Sequence, residues 1–181
     1  MSGVRLLIVD GVVVPVYAST EINQRYEKRR GATRYRMADG SLRQRRVWPA
    51  TGAKIVTTIS GNGLIPAGIG EDGDVNYDGP IVISCIAPRA VTTTSTSVAL
   101  PASRRNDAGS IPFGRALLLN EVWVSTAVSM AGDIANITPV TGATQYQVVY
   151  FPQITVFADP PTEDKPGRGP SFGWTLTAEE I

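Results

Sequence analysis

Asp72, Asp74, Asn76 and Asp78 place an oxygen-bearing side chain at every second position of the run DGDVNYDG, the spacing with which one short loop can wrap a calcium ion. A loop of that kind also needs a glycine at its sixth position and a bidentate glutamate at its twelfth. Those positions hold Tyr77 and Ile83, so the template fails at both anchors and the run reads as an acidic, glycine-rich surface turn. Gly61-Asn62-Gly63 with Gly68 resembles a phosphate loop, but no Lys-Ser/Thr pair follows, Pro66 interrupts the spacing and no helical pattern begins after it. The chain has no histidine and one cysteine, Cys85, which removes Ser-His-Asp and Cys-His systems and a structural zinc site within one chain. Glu179 and Glu180 read as a solvated tail beyond the last strand. Neighbours on an extended chain point to opposite sides, so the two do not form an acid/base pair. No catalytic residue, cofactor or metal is expected, and the chain is not expected to be an enzyme.

What remains is charge. Arg25, Lys28, Arg29, Arg30, Arg34, Arg36, Arg43, Arg45 and Arg46 are nine of the seventeen Lys and Arg residues, and with Glu27 and Asp39 they give the stretch a formal charge of +7. The rest of the chain carries eight basic and fourteen acidic residues, or −6, so a net charge of +1 hides two regions of opposite sign. Such a molecule is suited to head-to-tail self-association or to docking on an acidic polymer. Tyr26, Tyr35 and Trp48 are interleaved among the arginines, as in single-stranded nucleic-acid binders, which stack bases on aromatics and neutralise phosphates with cations. The simpler reading is that the arginines pair with acids on a neighbouring subunit, and the −6 remainder of the same chain supplies them.

The elements that would carry these residues are strands. Short apolar runs are punctuated by 18 Gly and 13 Pro, and a chain of 181 residues predicts one all-β domain, 1–181, with residues 20–48 as a projecting basic arm. Val4 to Val9 and Val12 to Tyr17 flank Asp10-Gly11, a two-residue hairpin signal. Arg30-Gly31 and Asp39-Gly40 mark two reversals within the arm. Lys54 to Ser60 reads as a strand, Gly63 to Gly79 as one long excursion, and Pro80 to Pro88 as a strand buried on both faces with Cys85 as a small core residue. Val91 to Ser97 reads as an exposed strand or a linker, and Arg104 to Gly109 as a loop. Ala116 to Val124 reads as a strand whose leucines also suit a short helix, and Val128 to Ile137 carries the same ambiguity. Gln145 to Phe157 is strongly β with Pro152 at a bulge or edge, and Phe172 to Thr177 is the last strand. The apolar run at the N-terminus is too short for a secretion signal, so synthesis in the cytoplasm is expected.

The word order RYRMADGSLRQRRVW, TTISGNGLIP, PIVISCIAPRA resembles small minor tail and baseplate proteins of tailed bacteriophages. In these an ISGxGxIPxG segment precedes an apolar strand ending in C-x-x-P-R. The matching residues here are Ile59, Ser60, Gly61, Gly63, Ile65, Pro66 and Gly68, then Cys85, Pro88 and Arg89. The resemblance implies a virion structural subunit built on a β-barrel or sandwich of tail-tube-like type, forming a ring at the end of the tail tube or in the baseplate. Expected partners are further copies of itself in a homo-oligomeric ring, with a hexamer as the expected order, and other tail-tube and baseplate proteins. Genomic DNA is expected only as cargo passing a lumen, and no membrane is involved. The expected place is the phage tail, assembled in the host cytoplasm. The basic arm and a loop contact comprising Gly61, Gly63, Pro66, Asp72, Asp74 and Asp78 are the expected subunit interface. The alternative is a nucleic-acid or acidic-glycan binding module that uses the arm, with a hydrolase ranked third.

Overall fold

The computed structural model describes residues 5–14, 22–29, 32–46, 54–164 and 172–181. Among them there is no helix, and the chain is all-β. The strands in chain order are β1 (Ile8–Val9), β2 (Val12–Val13), β3 (Asn23–Arg29), β4 (Ala32–Arg36), β5 (Leu42–Arg46), β6 (Lys54–Asn62), β7 (Ile81–Ser84), β8 (Arg89–Thr93) and β9 (Ser97–Ala99). They continue with β10 (Phe113–Leu118), β11 (Trp123–Thr126), β12 (Val128–Ala131), β13 (Ile134–Ile137), β14 (Ala143–Tyr150), β15 (Gln153–Ala158), β16 (Thr162–Asp164) and β17 (Gly173–Glu180). The chain forms two compact units, Met1–Pro15 with Val82–Ile154 and Val16–Ile81 with Thr155–Ile181. Every pairing described is antiparallel, and the sheets are open; none closes into a barrel among the described residues.

In the first unit, β1 and β2 meet at Asp10-Gly11. Both residues have positive φ, 47° and 84°, the mirror-image turn whose twist matches the flanking strands and which only a Gly or a short polar residue enters easily. A four-stranded sheet in the order β11-β10-β14-β8 and a three-stranded sheet β12-β13-β9 contribute to one core of Leu100, Ala116, Ala135, Ile137, Tyr146, Val148 and Tyr150. Alternation along β14, with Tyr146 and Val148 buried and Gln145 and Gln147 partly open, puts the apolar side chains on one face. The segment Ala116 to Val124 is neither one strand nor a helix: β10 ends at Leu118, the chain turns through Leu119 to Val122, and β11 begins at Trp123. Val128 to Ile137 likewise splits into β12 and β13 around Gly132.

Residues 104–109 are anchored far more firmly than an ordinary loop. Arg105 is 4% exposed; its Nε donates to Asp107 Oδ2 at 2.7 Å, and its Nη1 lies 2.8 Å from the Leu6 carbonyl, 3.2 Å from that of Ser84 and 3.1 Å from that of Cys85. Arg104 donates to the Pro101 and Gly132 carbonyls and to Asp133 Oδ1 at 2.6 Å. Burial pushes the Asp107 carboxyl pKa up, but hydrogen bonds from Arg105 and Ser110, the Arg105 charge and the Gly109 amide outweigh it, and the net shift is below the ordinary 3.8. A carboxyl lowered by folding contributes stability that is full above its unfolded pKa and is lost as pH falls through its folded one. Asp107→Asn is therefore expected to lower the melting temperature at about pH 6, and the gap to wild type should close by about pH 2. A gap that persists unchanged in acid would assign Asp107 an effect independent of its charge.

In the second unit the sheet order is β15-β17-β6-β3, with β16 also on β17. Ile55, Thr57 and Ile59 of β6 share a face with Leu176 and Ala178 of β17, all buried. Thr57 accepts a hydrogen bond at 3.0 Å from Gln24 Nε2, so its buried hydroxyl is satisfied. β17 runs to Glu180, which corrects the reading of Glu179-Glu180 as a solvated tail. Glu179 binds Arg29 and Glu180 accepts from the Ile55 amide at 3.1 Å, so both carboxylates are tied into the sheet. Of the expected arm, Asn23–Arg29 lies along β6 in register from Asn23↔Ser60 to Arg29↔Lys54. The freer element is the two-stranded sheet β4-β5.

Candidate functional site

The hairpin β4-β5 turns at Asp39-Gly40, where Met37 N donates to Ser41 O, Gly40 N to Met37 O, and Ser41 N to Asp39 Oδ1. Register sorts its side chains: opposite residues in an antiparallel pair share a face, so Arg34 and Arg36 lie with Gln44 and Leu42, while Arg43 and Arg45 lie with Tyr35. Residues 34–40 and 42–45 are all exposed, and Leu42 is 62% accessible. The hairpin is therefore open on both faces and mixes guanidinium groups with apolar side chains on each.

Of the other predicted arm residues, Arg25, Lys28 and Arg29 lie on β3 and not on the hairpin. Arg25 is exposed on β3 and ion-paired with Glu27, Lys28 is exposed, and Arg29 binds Glu179 Oε2 at 2.7 Å. Arg30 and Trp48 lie outside the described residues, and Arg46 is described as the β5 partner of Ala32.

The loop 63–79 has no strand or helix, as read, and is held by its own chain. Asp74 N and Val75 N both donate to Gly68 O, Gly73 N to Gly70 O, and Ile69 N to Pro66 O, and Pro66, Ile69 and Val75 are buried. Burial pushes the Tyr77 phenol up to about 12, so it stays a neutral donor to Ile69 O at 2.7 Å. Asp72, Asp74 and Asp78 are exposed, and Asn76 Oδ1 is used by the Asp78 amide, the geometry of a local turn. Among the described residues no three Cys, Asp or Glu come together as metal ligands. Gly63 N donates to Phe172 O, and Gly61 lies within β6, paired with Trp174.

A second feature escaped the sequence reading. On the outer face of the second unit's sheet, the row Glu27, Val56, Glu179, Phe157 runs across β3, β6, β17 and β15. Beside it lies a groove of about 380 Å³ lined in part by Arg29, Val56, Tyr77, Phe157, Asp159 and Glu179. Phe157 is 53% exposed, an apolar surface opposite Glu179. No signal in the linear sequence pointed to it, because strand register brings Phe157 and Glu179 together and the fold of the loop adds Tyr77.

No protein-family model matches the chain, and no curated protein or solved structure matches it either.

Proposed function

We propose that this chain is a structural subunit of a tailed-phage tail, a ring component at the tube end or baseplate, and that the β4-β5 hairpin is its assembly contact. The observation that carries the assembly reading is the hairpin's exposure. An isolated two-stranded hairpin is marginally stable in water, and one that leaves Leu42, Tyr35 and Met37 open among four arginines gains most by packing against a partner. The tail assignment rests on the residue pattern around Gly61 to Gly68 and Cys85 to Arg89. A second reading, a nucleic-acid surface, is favoured by one cross-strand pair: Tyr35 lies opposite Arg43, so a ring and a guanidinium share a face.

Replacing Arg34, Arg36, Arg43 and Arg45 with Ser separates the two. Exposed charges contribute roughly 0–1 kcal/mol each to folding, so the variant should melt close to wild type while sedimenting as a monomer under conditions where wild type associates. If the variant instead associates normally and loses only a salt-sensitive affinity for DNA, the nucleic-acid reading takes its place.

A further inference from the structure

We propose that the groove beside Phe157 is the receptor for the arginine hairpin of a second copy of this chain. This rests on the assembly reading above and adds to it the receiving surface.

The groove carries what recognises a guanidinium. Asp159 and Glu179 are carboxylates that a planar fork can engage with two parallel N–H groups, and the open Phe157 ring offers a face over which the cation can lie. Val56 supplies an apolar wall for the aliphatic stem. The groove already holds one such group: Arg29 reaches Glu179 Oε2 at 2.7 Å. Asp159, by contrast, is in no ion pair among the described residues. Tyr77 lines the groove from a loop whose Glu71, Asp72, Asp74 and Asp78 are exposed, so the loop that contributes to the groove is acidic. The hairpin answers each feature with Arg34, Arg36, Arg43 and Arg45 for the carboxylates and Leu42 and Tyr35 for the apolar wall and ring. No described hairpin residue lines the groove of its own chain. Because donor and receptor are different patches, the contact is heterologous and repeats from copy to copy until it closes.

The test uses two complementary variants of the full chain. One lacks the hairpin charges (Arg34, Arg36, Arg43 and Arg45 to Ser); the other lacks the receptor (Asp159→Lys with Phe157→Ser, both exposed positions). Circular dichroism confirms that each folds, and Asp159→Asn alone serves as a milder receptor variant. By sedimentation velocity wild type should associate, each variant alone should be monomeric, and their equimolar mixture should stop at a heterodimer, since one hairpin and one groove remain intact between them. Association should weaken about tenfold or more as salt screens the exposed charges. If the receptor variant assembles like wild type, or the mixture stays monomeric while wild type associates, the hairpin docks elsewhere and the proposal falls with the assembly reading intact. A wild-type chain that stays monomeric throughout overturns the proposal and removes the self-assembly beneath it.

Discussion

Replacing Arg105 with Met should lower the stability of the protein by about 2–4 kcal/mol, since each buried carbonyl left without its donor costs about 1–3 kcal/mol. The side chain is 4% exposed and serves three carbonyls at once, those of Leu6, Ser84 and Cys85, while its Nε holds Asp107. Methionine fills much of the volume but leaves those oxygens without a donor and Asp107 without its counter-charge, and each stranded buried group carries its own desolvation cost. Domains have roughly 5–15 kcal/mol in total, so the first unit should be the first part to open. Lysine should not rescue: its ammonium has the charge but not the fork that reaches Asp107 and the carbonyls together. Arg104→Met is the internal control. Its acceptors, the Pro101 and Gly132 carbonyls and Asp133, are only part-buried, whereas the Ser84 and Cys85 carbonyls are buried, so the loss should be smaller. Urea denaturation measures all three, and an Arg105→Met cost below about 1 kcal/mol would mean that water substitutes for the guanidinium.

Arg105 also shows where a linear reading stops. A doubled arginine before Asn-Asp-Ala-Gly reads as a solvated turn, because its burial depends on carbonyls at positions 6, 84 and 85 that come together only in the fold. The Asp10-Gly11 turn was legible for the opposite reason: the positive φ that it requires is a local property of those two residue types. The turn between β10 and β11 sent no such signal. It places Glu121 at φ 62°, held by Leu118 N donating to Val122 O and Glu121 N to Leu118 O, with neither Gly nor Pro in Leu119 to Val122. A run of leucines with a non-glycine residue in the left-handed region reads as one continuous element until its partners are seen.

The candidate site divides in the same way. The β4-β5 hairpin was visible in sequence because its arginines are contiguous and Asp39-Gly40 marks the reversal. The groove was invisible because its residues are drawn from four strands and a loop, and one of them, Glu179, was assigned to a tail. The strand continues past Thr177 because β6 offers partners as far as Val56, opposite Glu179, and pairing carries the last residues into the sheet. The parity argument for Glu179 and Glu180 still holds, with one reaching Arg29 and the other the Ile55 amide.

Gly61→Ala should cost about 1–3 kcal/mol, the range for adding a methyl group to a packed core. Gly61 stands opposite Trp174 in the β6-β17 pair, and a methyl group there would lie 2.6 Å from Cε2 and 2.7 Å from both Cζ2 and Nε1 of the indole. Trp174 is 1% exposed, so the ring has no free space into which to retreat. Its Nε1 is a buried donor with no acceptor among the described residues. Shape, not hydrogen bonding, therefore fixes the ring against the glycine. Trp174→Phe removes the atoms nearest the new methyl together with the orphaned donor, so its own cost is partly offset, and it makes room for the methyl group added at position 61. Combined, the two substitutions should be less damaging than the sum of the singles by at least about 0.5 kcal/mol, the coupling expected of residues in contact. Denaturant titrations of the four proteins in this cycle measure it. Strict additivity would show that the strands part to admit the methyl, and that the glycine is not held there by the indole.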